Sequence, residues 1–143
     1  MSTRSTIAVQ HNDGTVSSVY CHFDGYLSHN GRMLFKHYAT LADAEALVEM
    51  GAISYLAEHI DCPPGHSFKT QVNGYSVFYG RDRDCGTPVV NRYANYLVYM
   101  KTAPRADYNY IYKDGAWFVE YDRTNGVFAP LGEELVFHTL ENS

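Results

Sequence analysis

Tyr108-Asn109-Tyr110-Ile111-Tyr112-Lys113-Asp114-Gly115-Ala116-Trp117-Phe118-Val119-Glu120-Tyr121 decides how the rest of the chain is read. Two runs rich in aromatic and β-branched residues flank an Asp-Gly pair. That pair suits a two-residue hairpin turn, because glycine and aspartate accept the positive φ such a turn demands. The turn sets the register: Tyr112 opposite Trp117, Tyr110 opposite Val119, Tyr108 opposite Tyr121. One face is then almost wholly aromatic, and each cross-strand aromatic pair stabilises it by up to ~1 kcal/mol. Single-strand nucleic-acid binders stack bases on such faces, but packing against helices explains this one better.

The same chemistry recurs near the N-terminus. Ser5 to His11 and Thr15 to Phe23 are β-rich runs separated by Asn12-Asp13-Gly14. Treating Asp13-Gly14 as a two-residue turn pairs Ile7 with Tyr20, Val9 with Ser18, Ala8 with Val19 and Thr6 with Cys21. Both faces carry apolar residues, so this hairpin is expected inside a sheet covered on each side. His22 then falls on the face of Ile7, Val16 and Tyr20.

Helical patterns fill the space between the hairpins. Arg32 to Tyr38 can form a short helix. Thr40 and Asp43 resemble a capping box that opens a helix from Leu41 to Met50, with Gly51 placed to end it. Leu41, Ala44, Leu47 and Val48 give that helix one apolar stripe. Ala52 to His59 is expected to be a second short helix, with Ile53, Leu56 and Ala57 facing inward. Gly74 to Tyr79 reads as a buried strand and Gly80 to Gly86 as a charged loop. Asn91 to Met100 reads as a third helix from the spacing of Tyr93, Tyr96, Leu97 and Met100. Gly132 to Leu140, with Glu133 and Glu134 in its first turn, reads as a C-terminal helix. The pattern predicts a single α+β domain: a mainly antiparallel sheet of about five strands with three to four helices packed on it.

Composition narrows the function classes. A chain of 143 residues is the size of one domain. Its 45% hydrophobic and 19% charged residues are ordinary for a globular protein. Thirteen tyrosines and seven phenylalanines are many, and tyrosine suits interfaces through its large apolar body and polar tip. A net charge of −5 disfavours nucleic acid as a partner. Cys21, Cys62 and Cys85 are odd in number and form no CxxC pair, which argues against a cysteine-built zinc site. The first residues lack a leader's apolar core, and no run approaches a membrane span, so a chain in a reducing cytoplasm is expected.

Four segments carry a family likeness: Met1 to Val9, Val19 to Tyr26, Phe78-Tyr79-Gly80-Arg81-Asp82-Arg83, and Tyr112 to Phe118. Along most of its length the chain resembles a family of small uncharacterised proteins encoded by tailed bacteriophages and prophages. The resemblance implies a setting in the host bacterial cytoplasm during infection and an accessory rather than structural role. It implies no activity and no site residues.

Candidate chemistry centres on the polar loop from Cys21 to Arg32. His22 and Asp24 form the H-x-D pair that opens a 2-His-1-carboxylate iron site, with His66 or His138 as a third ligand. That chemistry usually occupies a barrel with more strands than this chain supplies, so no metal or other cofactor is expected. His29, Asn30 and Arg32, with Tyr26 beside them, are suited to an anion or partner contact, since arginine and glycine-flanked amides present donors together. Arg81 and Arg83 alternate with aspartates and are secondary candidates for the same role. No P-loop, G-x-G-x-x-G or G-x-S-x-G occurs. The missing catalytic signature and the tyrosine-rich composition favour a non-enzymatic binding protein, and the phage resemblance implies a host protein as its partner. The alternative is a small-ligand or nucleotide-binding module, with hydrolase activity as its extension, whose pocket contains His22, Asp24, His29 and Arg32. Self-association is compatible with either.

Overall fold

The computed structural model describes residues 3–83 and 88–132. Its strands are β1 (Ser5–Gln10), β2 (Val16–Cys21), β3 (Ile53–Tyr55), β4 (Val77–Phe78), β5 (Asn91–Tyr93), β6 (Tyr108–Lys113), β7 (Ala116–Glu120) and β8 (Ala129–Pro130). The α-helices are α1 (Arg32–His37), α2 (Leu41–Glu49), α3 (Tyr79–Asp82) and α4 (Tyr96–Thr102). The architecture is α+β, as expected, but among the described residues one mixed sheet of eight strands replaces the sheet of about five anticipated.

The β6–β7 hairpin forms with the predicted pairs, Tyr112 with Trp117 and Tyr110 with Val119. Asp114 (φ 54°) and Gly115 (φ 82°) both take the left-handed conformation of a type I′ turn. Beyond the ladder Tyr108 stacks on Tyr121 with centroids 5.1 Å apart.

The β1–β2 hairpin is shifted by one residue from the two-residue reading. Ile7 pairs with Val19, Ala8 with Ser18, and Val9 with Ser17. The His11 N–H reaches the Thr15 carbonyl at 2.8 Å, closing a three-residue loop over Asn12-Asp13-Gly14. Gly14 at φ 91° takes the left-handed position that such a loop requires. Because side chains alternate, the shift moves Val16, Ser18 and Tyr20 to the face opposite Ile7.

The two hairpins lie side by side through parallel pairing of β1 with β6, from Ser5 opposite Tyr108 to Val9 opposite Tyr112. The order is β4-β3-β2-β1-β6-β7-β8, with β5 alongside the first half of β2. Ile7, Val9, Val19, Tyr110, Trp117 and Val119 pack one face against Leu34 of α1 and Ala44, Leu47 and Val48 of α2. Ala8, Val16 and Ile111 pack the other against Tyr99 of α4. Thr40 Oγ1 accepts the Asp43 N–H at 3.1 Å and caps α2, and Gly51 at φ 83° ends it, as the sequence suggests.

Three predicted elements change. Ala52 to His59 is not helical: Ile53–Tyr55 is β3, and the His22 N–H donates to the Ile53 carbonyl at 2.9 Å. Its inward residues Ile53, Leu56 and Ala57 are nonetheless buried. Asn91 to Met100 divides into β5 and α4, which starts only after Asn95 Oδ1 caps the Val98 N–H at 2.9 Å. Leu97, expected inside, is largely exposed. The strand foreseen from Gly74 to Tyr79 is confined to Val77–Phe78, and the loop after it opens with α3. The C-terminal helix expected from Gly132 lies outside the described residues beyond its first position.

Candidate functional site

Between β2 and α1 the chain is folded tightly against the start of β1. Asp24 sits at φ 56°, a left-handed conformation that a short polar side chain tolerates. Next to it the Gly25 N–H donates to the Thr3 carbonyl at 2.8 Å, and its own carbonyl accepts the Tyr110 hydroxyl at 2.7 Å. A Cβ at Gly25 would lie 2.8 Å from Ser5 Cβ and 2.9 Å from the Arg4 carbonyl, so only glycine fits. Leu27–Gly31 then forms one π-helical turn, and α1 follows without a break. Such turns often occur at functional sites.

Asn30, expected to contact a ligand, is turned inward and fully buried. Its Nδ2 donates to Ser5 Oγ at 3.0 Å and Cys21 Sγ at 3.3 Å, tying the loop to the first hairpin. Burial raises the Cys21 thiol to about 11, so it stays protonated. His29 points its Nε2 at the Leu56 carbonyl, 2.8 Å away, and packs its ring on Tyr55. His22 Nδ1 meets the Tyr20 hydroxyl at 2.6 Å, and Asp24 Oδ1 accepts the Tyr26 hydroxyl at 3.2 Å. His22, Asp24 and His29 therefore lie in the connection between β2 and α1, and Arg32 opens α1, but none of them lines the cleft between β2 and β5.

These inward anchors leave aromatic rings facing solvent. Tyr20, Phe23 and Tyr26 are 37%, 40% and 36% exposed. The His22 ring lies between its neighbours, edge-on to Phe23 at 4.5 Å and 5.9 Å from Tyr20. Tyr26 continues the line through His29 to Tyr55. The result is an aromatic ridge on a loop fixed by buried hydrogen bonds.

Arg81 serves the fold. Its guanidinium donates to the carbonyls of Ile60, Asp61 and Ser76 and to both oxygens of Asp82. Asp82 also accepts the Phe78 N–H at 2.9 Å, and its side chain is almost inaccessible. His66, weighed as a metal ligand, has both ring nitrogens occupied: Nδ1 accepts from the Val72 N–H, so Nε2 carries the proton toward the Ser76 carbonyl. Arg83 stacks on Phe68 with its guanidinium 4.8 Å from the ring centre. Among the described residues no cluster of three or more His, Cys, Asp or Glu side chains could hold a metal ion. His138, the other weighed ligand, lies outside them.

One constellation escapes sequence reading altogether. His11 Nδ1 lies 2.6 Å from Glu45 Oε2, and His11 Nε2 lies 2.8 Å from Ser17 Oγ. These are the contacts of a serine–histidine–carboxylate triad. Ser17 also accepts from Arg92, which makes a bidentate pair with Glu49. Yet Ser17 is only 1% exposed, and its oxygen is enclosed by these partners. A substrate carbonyl must come within about 3.5 Å of the nucleophile, and there is no room for one. The network ties α2 to β2 and β5. An active-site-directed fluorophosphonate is accordingly expected to leave Ser17 unlabelled in the folded chain, as read by intact mass; stoichiometric labelling would make it a nucleophile. No local motif signals this triad, because its members come from β2, the hairpin loop and α2.

A cleft of about 640 Å³ lies beside the ridge on the α4 face of the sheet. Ser18 and Tyr20 of β2, Asn91 and Tyr93 of β5, and Arg4 and Asp107 line it. Reading Asn91 to Met100 as one helix hid it, because β5 supplies a wall. Comparison with protein-family models, with curated proteins and with solved structures returned no match. Among the described residues no helix is long and apolar enough to cross a membrane.

Proposed function

We propose that this chain is a small non-enzymatic binding protein, made by a phage, that engages a host protein in the bacterial cytoplasm through the Tyr20–Tyr26 ridge. The supporting observation is the contrast within one loop. Buried Asn30, Gly25 and the Tyr110 hydroxyl hold the backbone, while Tyr20, Phe23 and Tyr26 stay exposed. Interfaces are enriched in such aromatics, and a surface rigid before binding loses less entropy on association. The resemblance to phage accessory proteins supplies the host setting. The enclosed Ser17 and the absence of a phosphate loop favour binding over catalysis.

Capture from bacterial lysate tests the reading when the ridge is altered. A specific partner is expected to be retained by the native chain and released when Phe23 and Tyr26 are both replaced by serine. Replacing exposed Val127 by serine, away from the ridge, should leave capture intact. Equal retention by all three chains would refute the ridge as the contact surface.

A further inference from the structure

We infer that the cleft between β2, β5 and the 104–107 segment binds a short zwitterionic peptide of two or three residues. Its volume is in the range of small-molecule sites. Its floor has unused hydrogen-bonding capacity. Ser18 is 5% exposed and lines the cleft, yet its hydroxyl makes no hydrogen bond among the described residues. Asn91 is its partner across the β2–β5 ladder, and its side chain is likewise unengaged among them. Together a hydroxyl and an amide offer adjacent donors and acceptors, which match a peptide group.

The rim decides the charge of the ligand. Arg4 and Asp107 both line the cleft, and the Arg4 backbone N–H lies 3.3 Å from Asp107 Oδ2. Their side chains form no ion pair with each other, and the Arg4 side chain meets the neutral Tyr20 hydroxyl instead, so neither charge is compensated by an opposite one. Arg105 is already committed to Glu120 at 3.4 Å. The cleft thus offers one cation and one anion in a protein of net charge −5, which opposes a multiply charged phosphate. An extended dipeptide spans about 7 Å. Its carboxylate can meet the Arg4 guanidinium, its ammonium group Asp107, and its amide Ser18 and Asn91. Tyr20 and Tyr93 supply apolar walls for the side chains.

The site shares Tyr20 with the ridge but neither Phe23 nor Tyr26, so the two can be tested separately. The probe is the dipeptide Gly-Phe, titrated into the full chain while backbone amide chemical shifts are followed. Shifts are expected at Ser18, Asn91 and Asp107. Acetylating the amine or amidating the carboxylate should weaken binding about tenfold each, as should Arg4→Gln and Asp107→Asn. Both substitutions are at exposed positions and leave the Arg4 main-chain contact in place, and Asn91→Leu gives a third exposed variant should either fold poorly. The Phe23/Tyr26 double serine variant should bind Gly-Phe as tightly as the native chain. No shifts at millimolar dipeptide, affinity unaffected by blocking either end, or preferential binding of adenosine monophosphate would each overturn the proposal.

Discussion

Replacing Asp82 by alanine is expected to lower the unfolding free energy by about 3–5 kcal/mol, the scale of breaking a buried, hydrogen-bonded ion pair. Asp82 is almost inaccessible and receives the Arg81 guanidinium through both oxygens as well as the Phe78 N–H. Through Arg81 it holds the carbonyls of Ile60, Asp61 and Ser76, which come from both ends of a long loop. Alanine leaves a half-buried guanidinium without its counter-ion. Burial alone would raise the Asp82 carboxyl, but the hydrogen bonds from Arg81 and the Phe78 N–H outweigh it and hold the group below the usual carboxylate range. The folded-state value therefore lies below the unfolded one. Its contribution is present above the unfolded value of about 4 and is lost as pH falls through the folded value. Urea unfolding at neutral and at acidic pH reads both effects. The native chain should lose stability on acidification, and the variant should lose less. A variant within 1 kcal/mol of the native chain at neutral pH would contradict this role.

Gly25→Ala is expected to cost about 1–3 kcal/mol, which lowers the melting temperature by roughly 3–10 °C. The new Cβ meets main-chain atoms of Arg4 and the Cβ of Ser5 at 2.8–2.9 Å, and neither can swing away as a flexible side-chain end would. Relief requires moving the loop off β1, which stretches the hydrogen bonds to Thr3 and Tyr110. Gly132→Ala is the control, because no described residue lies within 4 Å of its added Cβ; it should change stability by less than about 0.5 kcal/mol. Equal melting temperatures for both variants would show that the loop has slack there.

Local chemistry carried the reading where it was self-sufficient. The Asp114-Gly115 turn, the Thr40 cap and the Gly51 stop each depend on a few adjacent residues, and each forms as read. The first hairpin was harder because Asn12-Asp13-Gly14 serves a two- or a three-residue loop equally well. Closure at Thr15 decided it, and with it the face on which Tyr20 lies. Ile53 to Tyr55 and Asn91 to Tyr93 became strands because the open edge of β2 satisfies their backbone groups, a tertiary effect that helical periodicity does not register. The loop from Cys21 to Arg32 was recognisable as the distinctive polar segment. Which of its side chains turn inward was not, since Asn30 finds Ser5 and Cys21 only once both strands are in register. The cleft and the Ser17–His11–Glu45 network lay further out of reach, being assembled from distant segments.

The affinity of a host protein captured by the native chain, measured for the ridge variants, is the sharpest test of the proposed binding role. Calorimetric titration should give at least tenfold weaker binding for the Phe23→Ser, Tyr26→Ser chain than for the native one, because buried aromatic anchors carry most of an interface's energy. Val127→Ser should bind as the native chain does. Affinity unchanged by loss of both rings, in a chain whose melting temperature is intact, would contradict the ridge as the binding surface.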